Sequence, residues 1–240
     1  MAAVDLRKAV NGLDGISAAT SAPAVLGILE GVLEECGAKF FCFNLLPVEP
    51  QKFEEVILVH RVPDEWMRLY LEQQYCLVDP SLRHCRRTTQ PFEYLQSPYD
   101  PRSEPRAAEV IQRAHDFNLA KGFLVPVASP TGFHGNVWIG GYDLNIGQSE
   151  RPAVHLLSLY AFERIRQLCS CSEPKPRITP RERDILTWAA SGKTAWEIGE
   201  ILHISKRTVD EHLAKVARKL NATNRPQAIA RAIRHGLIEP

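Results

Sequence analysis

Two kinds of apolar spacing share the first 170 residues of the chain. Short apolar runs, FFCFNLL at 40–46 and EEVILVH at 54–60, have the length and composition of buried or half-buried strands, with a proline-containing turn between them. The stretch GFLVPVASPTGFHGNVWIGGYDL at 122–144 predicts two more strands, turning through Pro130, Thr131 and Gly132. Around these runs, apolar residues recur at helical spacing over 23–36, 63–75, 104–119 and 152–168, each segment bounded by Pro, Gly or a polar cap. The combination predicts an α+β domain, a central antiparallel sheet with helices on both faces.

Beyond residue 178 the spacing is helical throughout. Thr179 is placed to cap a helix, Pro180 suits its first position and Glu182 completes a capping box. This helix is expected to run to about Ser191 and end at Gly192. Thr194 caps a second helix through Leu202, His203 and Ile204 turn the chain, and Ser205 caps a third from Lys206 to Leu220. Ile198, Ile201, Leu202, Ile204, Val209, Leu213, Val216 and Leu220 are its expected core, making a small all-α domain. Between the two regions, the run from Cys169 to Arg177 is rich in small residues and prolines. The expected organisation is a first domain over 1–170, a linker over 171–177 and a second domain over 178–240. No internal repeat or low-complexity tract interrupts it.

Length and composition fit this division. At 240 residues, with 45% hydrophobic and 24% charged residues, the chain suits two folded globular domains. The N-terminus lacks the apolar stretch of a signal peptide and no run of about 18 apolar residues offers a membrane span, so a cytoplasmic protein is expected. Six cysteines in so long a chain do not make the dense framework of a small secreted scaffold. Cys169 and Cys171 are too close for a CxxC clip and have no second pair, so neither metal nor cofactor is expected.

The net charge of +1 conceals an asymmetry. Residues 172–240 hold 13 Lys/Arg against 8 Asp/Glu, or +5, and residues 1–171 hold 16 against 20, or −4. Only the C-terminal region is suited to approach phosphate. Its short helix followed by a longer one carrying Lys206, Arg207, Thr208, His212, Lys215, Arg218 and Lys219 is the helix-turn-helix arrangement. Arg207, Asp210, Glu211 and Lys215 lie near the N-terminal half of the longer helix, the part that meets base edges. Lys206, Arg207, Thr208 and His212 are also placed for phosphate.

A lone basic helix is more simply read as a solvated surface. Here Thr-Pro-Arg-Glu-Arg, Ala-Ala-Ser-Gly-Lys-Thr, Glu-Ile-Gly-Glu-Ile-Leu, Ile-Ser-Lys-Arg-Thr-Val and Arg-Lys-Leu-Asn-Ala follow one another at set spacings. Over about 60 residues the segment closely resembles the LuxR-type helix-turn-helix, with Glu182, Leu186 and Gly192 at scaffold positions of that family. One departure is Asp210, where the family usually has lysine. It can accept from a cytosine amino group, or it can be a surface charge paired with Arg207 or Lys206.

The first region lacks the strand-borne acids of a phosphoreceiver. Instead Trp66 to Tyr70, Tyr75 to Pro80, Pro91 to Tyr94 and Gly122 to Pro126 are similar to the autoinducer-binding domain of LuxR-type quorum-sensing receptors, over about residues 20–168. The resemblance implies a small-molecule effector, an N-acyl homoserine lactone, whose buried polar atoms need partners. It assigns the Trp66 indole N–H to the lactone carbonyl, the Asp79 carboxylate to the amide N–H, and Tyr70 to packing on the ligand. Taken singly, Trp66 and Tyr70 also read as a core stripe, and Asp79 as a cap before Pro80.

Three positions depart from the family pattern. Val62 stands where a tyrosine often serves the amide carbonyl, Tyr94 where a tryptophan covers the lactone, and Trp138 where a small Ser or Thr bonds the ligand. These changes suggest a pocket for a short, branched or aryl acyl group. The resemblance further implies a homodimer on a palindromic double-stranded DNA site, with 152–168 and 225–235 as apolar dimer faces, and RNA polymerase as a partner. A regulator of the same type that responds to another metabolite is the alternative. No nucleophile elbow, phosphate loop or zinc-protease motif points to an enzyme.

Overall fold

The structure is a computed structural model and describes residues 6–47, 51–128, 134–170 and 177–239. These residues form two compact units, one ending at residue 170 and one beginning at 177, each with its own buried core. Most of the expected linker, and the turn expected at 130–132, lie outside the described residues.

The first unit contains α1 (Leu6–Ala18), α2 (Ala22–Leu33), β1 (Phe40–Leu45), β2 (Ile57–Arg61), α3 (Asp64–Glu72), α4 (Pro80–Cys85), β3 (Phe92–Glu93), α5 (Pro105–Asp116), β4 (Gly122–Ala128), β5 (His134–Gly140) and α6 (Arg151–Ser170). All strand pairs are antiparallel, in the order β2-β1-β5-β4-β3. Helices cover both faces, as the two spacings predict. Strand alternation divides the side chains: Phe40 and Leu124 join the aromatic core with α3 and α5, whereas Phe41, Phe43, Val137 and Ile139 are buried on the opposite face.

Several elements depart from the sequence reading. The strand expected at 54–60 begins only at Ile57, because Phe53–Val56 form a turn of 3₁₀ helix that buries Phe53 and Val56. Helix α1 and the two-residue β3 were not expected. Cys169 is helical rather than part of the linker, since α6 continues to Ser170. Among the described residues no helix is long and apolar enough to cross a membrane.

The second unit consists of α7 (Pro180–Ala190), α8 (Ala195–Leu202), α9 (Lys206–Lys219) and α10 (Arg225–Arg234). Each start follows from its sequence. Thr179 with Glu182 and Thr194 with Glu197 form reciprocal capping boxes, and the side chains of Ser205 and Asn224 accept from Thr208 N–H and Gln227 N–H. Ile198, Val209, Val216 and Leu220 are buried as expected, but Ile201 is exposed and does not contribute to the core.

Candidate functional site

Between the sheet and α3, α4 and α5 of the first unit lies a cavity of about 60 Å³. Six residues expected at a ligand site, Val62, Trp66, Tyr70, Asp79, Tyr94 and Trp138, line it together. They come from separate elements: Trp66 and Tyr70 lie one turn apart on α3, Asp79 precedes α4, Tyr94 follows β3 and Trp138 sits on β5. Trp66 and Tyr70 belong to an aromatic cluster, with ring centroids 5.6 Å apart and Phe117 at 5.5 Å from Trp66.

Asp79 is both a cap and a pocket wall. Pro80 begins α4, and Asp79 Oδ1 accepts from the Ser81 backbone N–H at 2.8 Å and its hydroxyl at 2.6 Å. Its Oδ2 accepts from the Tyr70 hydroxyl at 2.9 Å. Burial raises the Asp79 pKa from its ordinary value, opposed by these hydrogen bonds from Ser81 and Tyr70. The Tyr70 and Ser81 hydroxyls are thus engaged by Asp79. By contrast, the Trp66 indole N–H and the Tyr94 hydroxyl have no hydrogen-bond partner among the described residues. Burial, followed by the nearby Asp79 charge, pushes the Tyr94 phenol well above its usual range and keeps it a neutral donor.

Gly122 does not line this cavity. It pairs with Gly140 across β4 and β5, and a Cβ at Gly122 would lie 2.5 Å from Trp138 Nε1. A Cβ at Gly140 would come within 2.1 Å of the same indole. The two glycines therefore provide the bed on which Trp138 lies. Their relation depends on strand register and is absent from local sequence. The same register places Asn44 opposite Asn136, two polar pocket residues that the sequence reading missed. Polar residues inside otherwise apolar strands were the available signal.

The second candidate surface is α9. Lys206, Arg207, Asp210, Glu211, Lys215, Arg218 and Lys219 are exposed, whereas Thr208 and His212 are half-buried. Arg207 Nε donates to Glu211 Oε1 at 3.1 Å, leaving Asp210 without an ion-pair partner among the described residues. Lys219 is held within its own unit, because its Nζ lies 2.6 Å from Oε2 of Glu182, whose side chain is buried at the start of α7. Burial raises the Glu182 pKa, but the Lys219 bond and the Thr179 N–H outweigh it and hold the carboxyl below its ordinary value. The turn between α8 and α9 uses His203 in the left-handed region, at φ 54°. Ile204 N–H then donates to Gly199 O at 3.0 Å, an approach that needs glycine because a Cβ there would be 2.6 Å from Ile204 O.

A buried pocket in one unit and a capped helix-turn-helix with an exposed polar helix in the other define a ligand-responsive transcription regulator. The family model described as autoinducer binding domain matches residues 21–165, and that of bacterial regulatory proteins, luxR family, matches 176–232. The chain is 43% identical over 242 residues to the transcriptional activator protein BjaR1 of Bradyrhizobium diazoefficiens, covering 100% of each chain. It is 39% identical over 236 residues to the HTH-type quorum sensing-dependent transcriptional regulator RpaR of Rhodopseudomonas palustris, covering 97% of this chain and 95% of that protein. Escherichia coli SdiA has the same fold, with a TM-score of 0.79 at 20% identity over 97% of this chain and 98% of SdiA. The chain belongs to the autoinducer-binding LuxR family of bacterial regulatory proteins, a family of transcription regulators and not of enzymes.

Proposed function

We propose that this regulator binds an N-acyl homoserine lactone with a compact acyl group and, as a homodimer, a palindromic DNA site. The observation that carries the reading is the convergence of Val62, Trp66, Tyr70, Asp79, Tyr94 and Trp138 on one cavity within the autoinducer-binding domain. Trp66 donates to the lactone carbonyl, Asp79 accepts from the amide N–H, and Tyr70 orients Asp79 while packing on the ligand. Val62 and Trp138 bound the acyl group, and Tyr94 covers the lactone. Gly122 acts one step removed, by seating Trp138. The large Trp138 indole in the cavity wall supports a short, branched or aryl acyl group over a long straight one.

Residues 1–170 serve as the sensor, 171–177 as the linker and 178–240 as the DNA-binding domain. On α9, Lys206, Arg207, Thr208, His212, Lys215 and Arg218 position the helix on phosphate, while Asp210 and Glu211 face base edges. Asp210 serves as an acceptor for a cytosine amino group, a reading supported by its exposure and lack of an ion-pair partner among the described residues. Lys219 supports the domain through Glu182. Exposed Leu156 and Tyr160 on α6 support a dimer face there. The relatives named as transcriptional activators support an activator acting with RNA polymerase in the cytoplasm.

The test is the melting temperature of the purified protein with butanoyl, 3-methylbutanoyl, benzoyl and dodecanoyl homoserine lactones. A ligand at about 100 times its Kd adds roughly 2.7 kcal/mol to the folded state. A compact acyl group is expected to give the largest shift. A maximum at dodecanoyl overturns the compact pocket, and no shift with any lactone moves the reading to a different metabolite.

A further inference from the structure

We propose that Asn136 is a ligand-binding residue whose side-chain amide donates to the amide carbonyl of the bound lactone. This rests on the lactone reading above and adds a contact to it. Asn136 is 1% exposed, lines the cavity from β5, and has an Oδ1 with no hydrogen-bond partner among the described residues. Its Nδ2 likewise has no partner among them. A buried carboxamide with both edges unpaired is costly in an apolar setting, and pairing with a ligand removes that cost.

The donor and acceptor balance narrows its role. An N-acyl homoserine lactone brings two carbonyls and one N–H. The Trp66 N–H serves one carbonyl, and Asp79 Oδ2 retains acceptor capacity for the N–H beyond its bond from Tyr70. Tyr70 and Ser81 have no hydroxyl hydrogen left for the second carbonyl, because both donate to Asp79. The Cys42 thiol is turned to Asn44 Oδ1 at 3.8 Å. Among lining donors, this leaves Tyr94, which covers the lactone, the Trp138 indole N–H, which lies over Gly122, the second Asn44 hydrogen, and Asn136.

Position favours Asn136 for the amide. It lies two residues before Trp138 on the same strand face, beside the wall assigned to the acyl group. Its oxygen can be served from across the sheet. Asn44 stands directly opposite Asn136, and its Nδ2 gives one hydrogen to Leu45 O at 3.0 Å, keeping a second. Opposed residues in such a pair have Cβ atoms about 4.5–5.5 Å apart, within reach of two carboxamides. With ligand bound, a bond from Asn44 to Asn136 Oδ1, which is unpaired among the described residues, would hold Nδ2 towards the ligand.

The experiment uses the full-length protein and whichever of the four lactones gives the largest melting shift, carrying ¹³C at its amide carbonyl. Asn136→Leu is expected to weaken binding about tenfold, the effect of stranding one buried carbonyl. The labelled amide band of the bound ligand should move to higher frequency, which a purely structural role would not produce. If Asn136→Leu does not fold, Asn136→Ala removes the donor with less steric demand, with the same expected losses. Unchanged affinity and an unmoved band in the folded variant overturn the role of Asn136 while leaving the lactone reading intact. Failure of wild-type protein to bind any of the four overturns both.

Discussion

The two units place recognition on opposite sides of their surfaces. In the DNA-binding unit the side chains proposed to meet DNA project outward from α9, and the Arg207 side chain is 89% exposed. In the sensor unit those proposed to meet the ligand point inward: Asp79 is 5% exposed and Asn136 1%. An exposed side chain can be removed with little effect on its own unit's stability. A buried polar one is tied to the fold, since its loss or mispairing is felt by every neighbour that satisfies it. Substitutions in the two units should therefore separate ligand response, stability and DNA affinity in different combinations.

The largest separation is expected at Asp79. Asp79→Asn replaces the acceptor proposed for the ligand N–H and should weaken lactone binding by roughly 10- to 100-fold, the effect of losing a hydrogen bond to a charged group. In the unliganded protein, loss of the buried charge is opposed by mispairing with Tyr70 or Ser81, so its melting should change less than the ligand shift does. Sign follows from the raised pKa: Asp79's contribution to stability is fully present below its ordinary value of 3.8 and is lost as pH rises through its folded value. Ligand affinity should run the other way, falling as acid protonates Asp79. Melting curves with and without lactone across a pH series check both trends. An undiminished ligand shift in Asp79→Asn would place the pocket elsewhere.

Gly199→Ala probes the same contrast from the other unit. Its Cβ would press on the Ile204 carbonyl at 2.6 Å, a backbone atom with little freedom to move. We expect about 1–3 kcal/mol of destabilisation in the helix-turn-helix and loss of DNA binding in proportion. The lactone-induced shift should persist. Chemical denaturation of the full chain, paired with DNA titration, measures these effects, and an unchanged DNA affinity would show that the turn relaxes freely.

The difference between the units also explains how much could be read in advance. Helix-turn-helix starts are local, so Thr179, Thr194 and Ser205 could be identified from residues three or four positions away. The pocket was legible only where the spacing of Trp66, Tyr70 and Asp79 and the family resemblance reached. Asn136 and the bed beneath Trp138 depend on pairing β5 with β1 and β4, which no short window contains. Ile201 failed for a related reason: its apolar character fits the helix pattern, but the small core of the unit leaves it at the surface. Lys219 looked like its basic neighbours, and only the folded position of Glu182 reveals its structural bond.

The smallest stability effects, and the clearest division of roles, should come from α9. Asp210→Ala and Arg207→Ala alter exposed side chains, so each should leave melting within about 0.5 kcal/mol of wild type. Their DNA phenotypes should differ. Removing Asp210 should relax preference at one base pair in each half-site by about 1–3 kcal/mol, the range for a lost base contact. Removing Arg207 should weaken binding to all sequences alike and reduce the salt slope by about 1. The Glu211 bond opposes this, because Arg207 must leave Glu211 before it can engage phosphate, and the released carboxylate then faces the same surface. Arg207→Ala with Glu211→Gln should consequently lose less affinity than Arg207→Ala alone. DNA titrations at several salt concentrations resolve the two terms, and an unchanged salt slope in Arg207→Ala would remove Arg207 from the phosphate-contacting set.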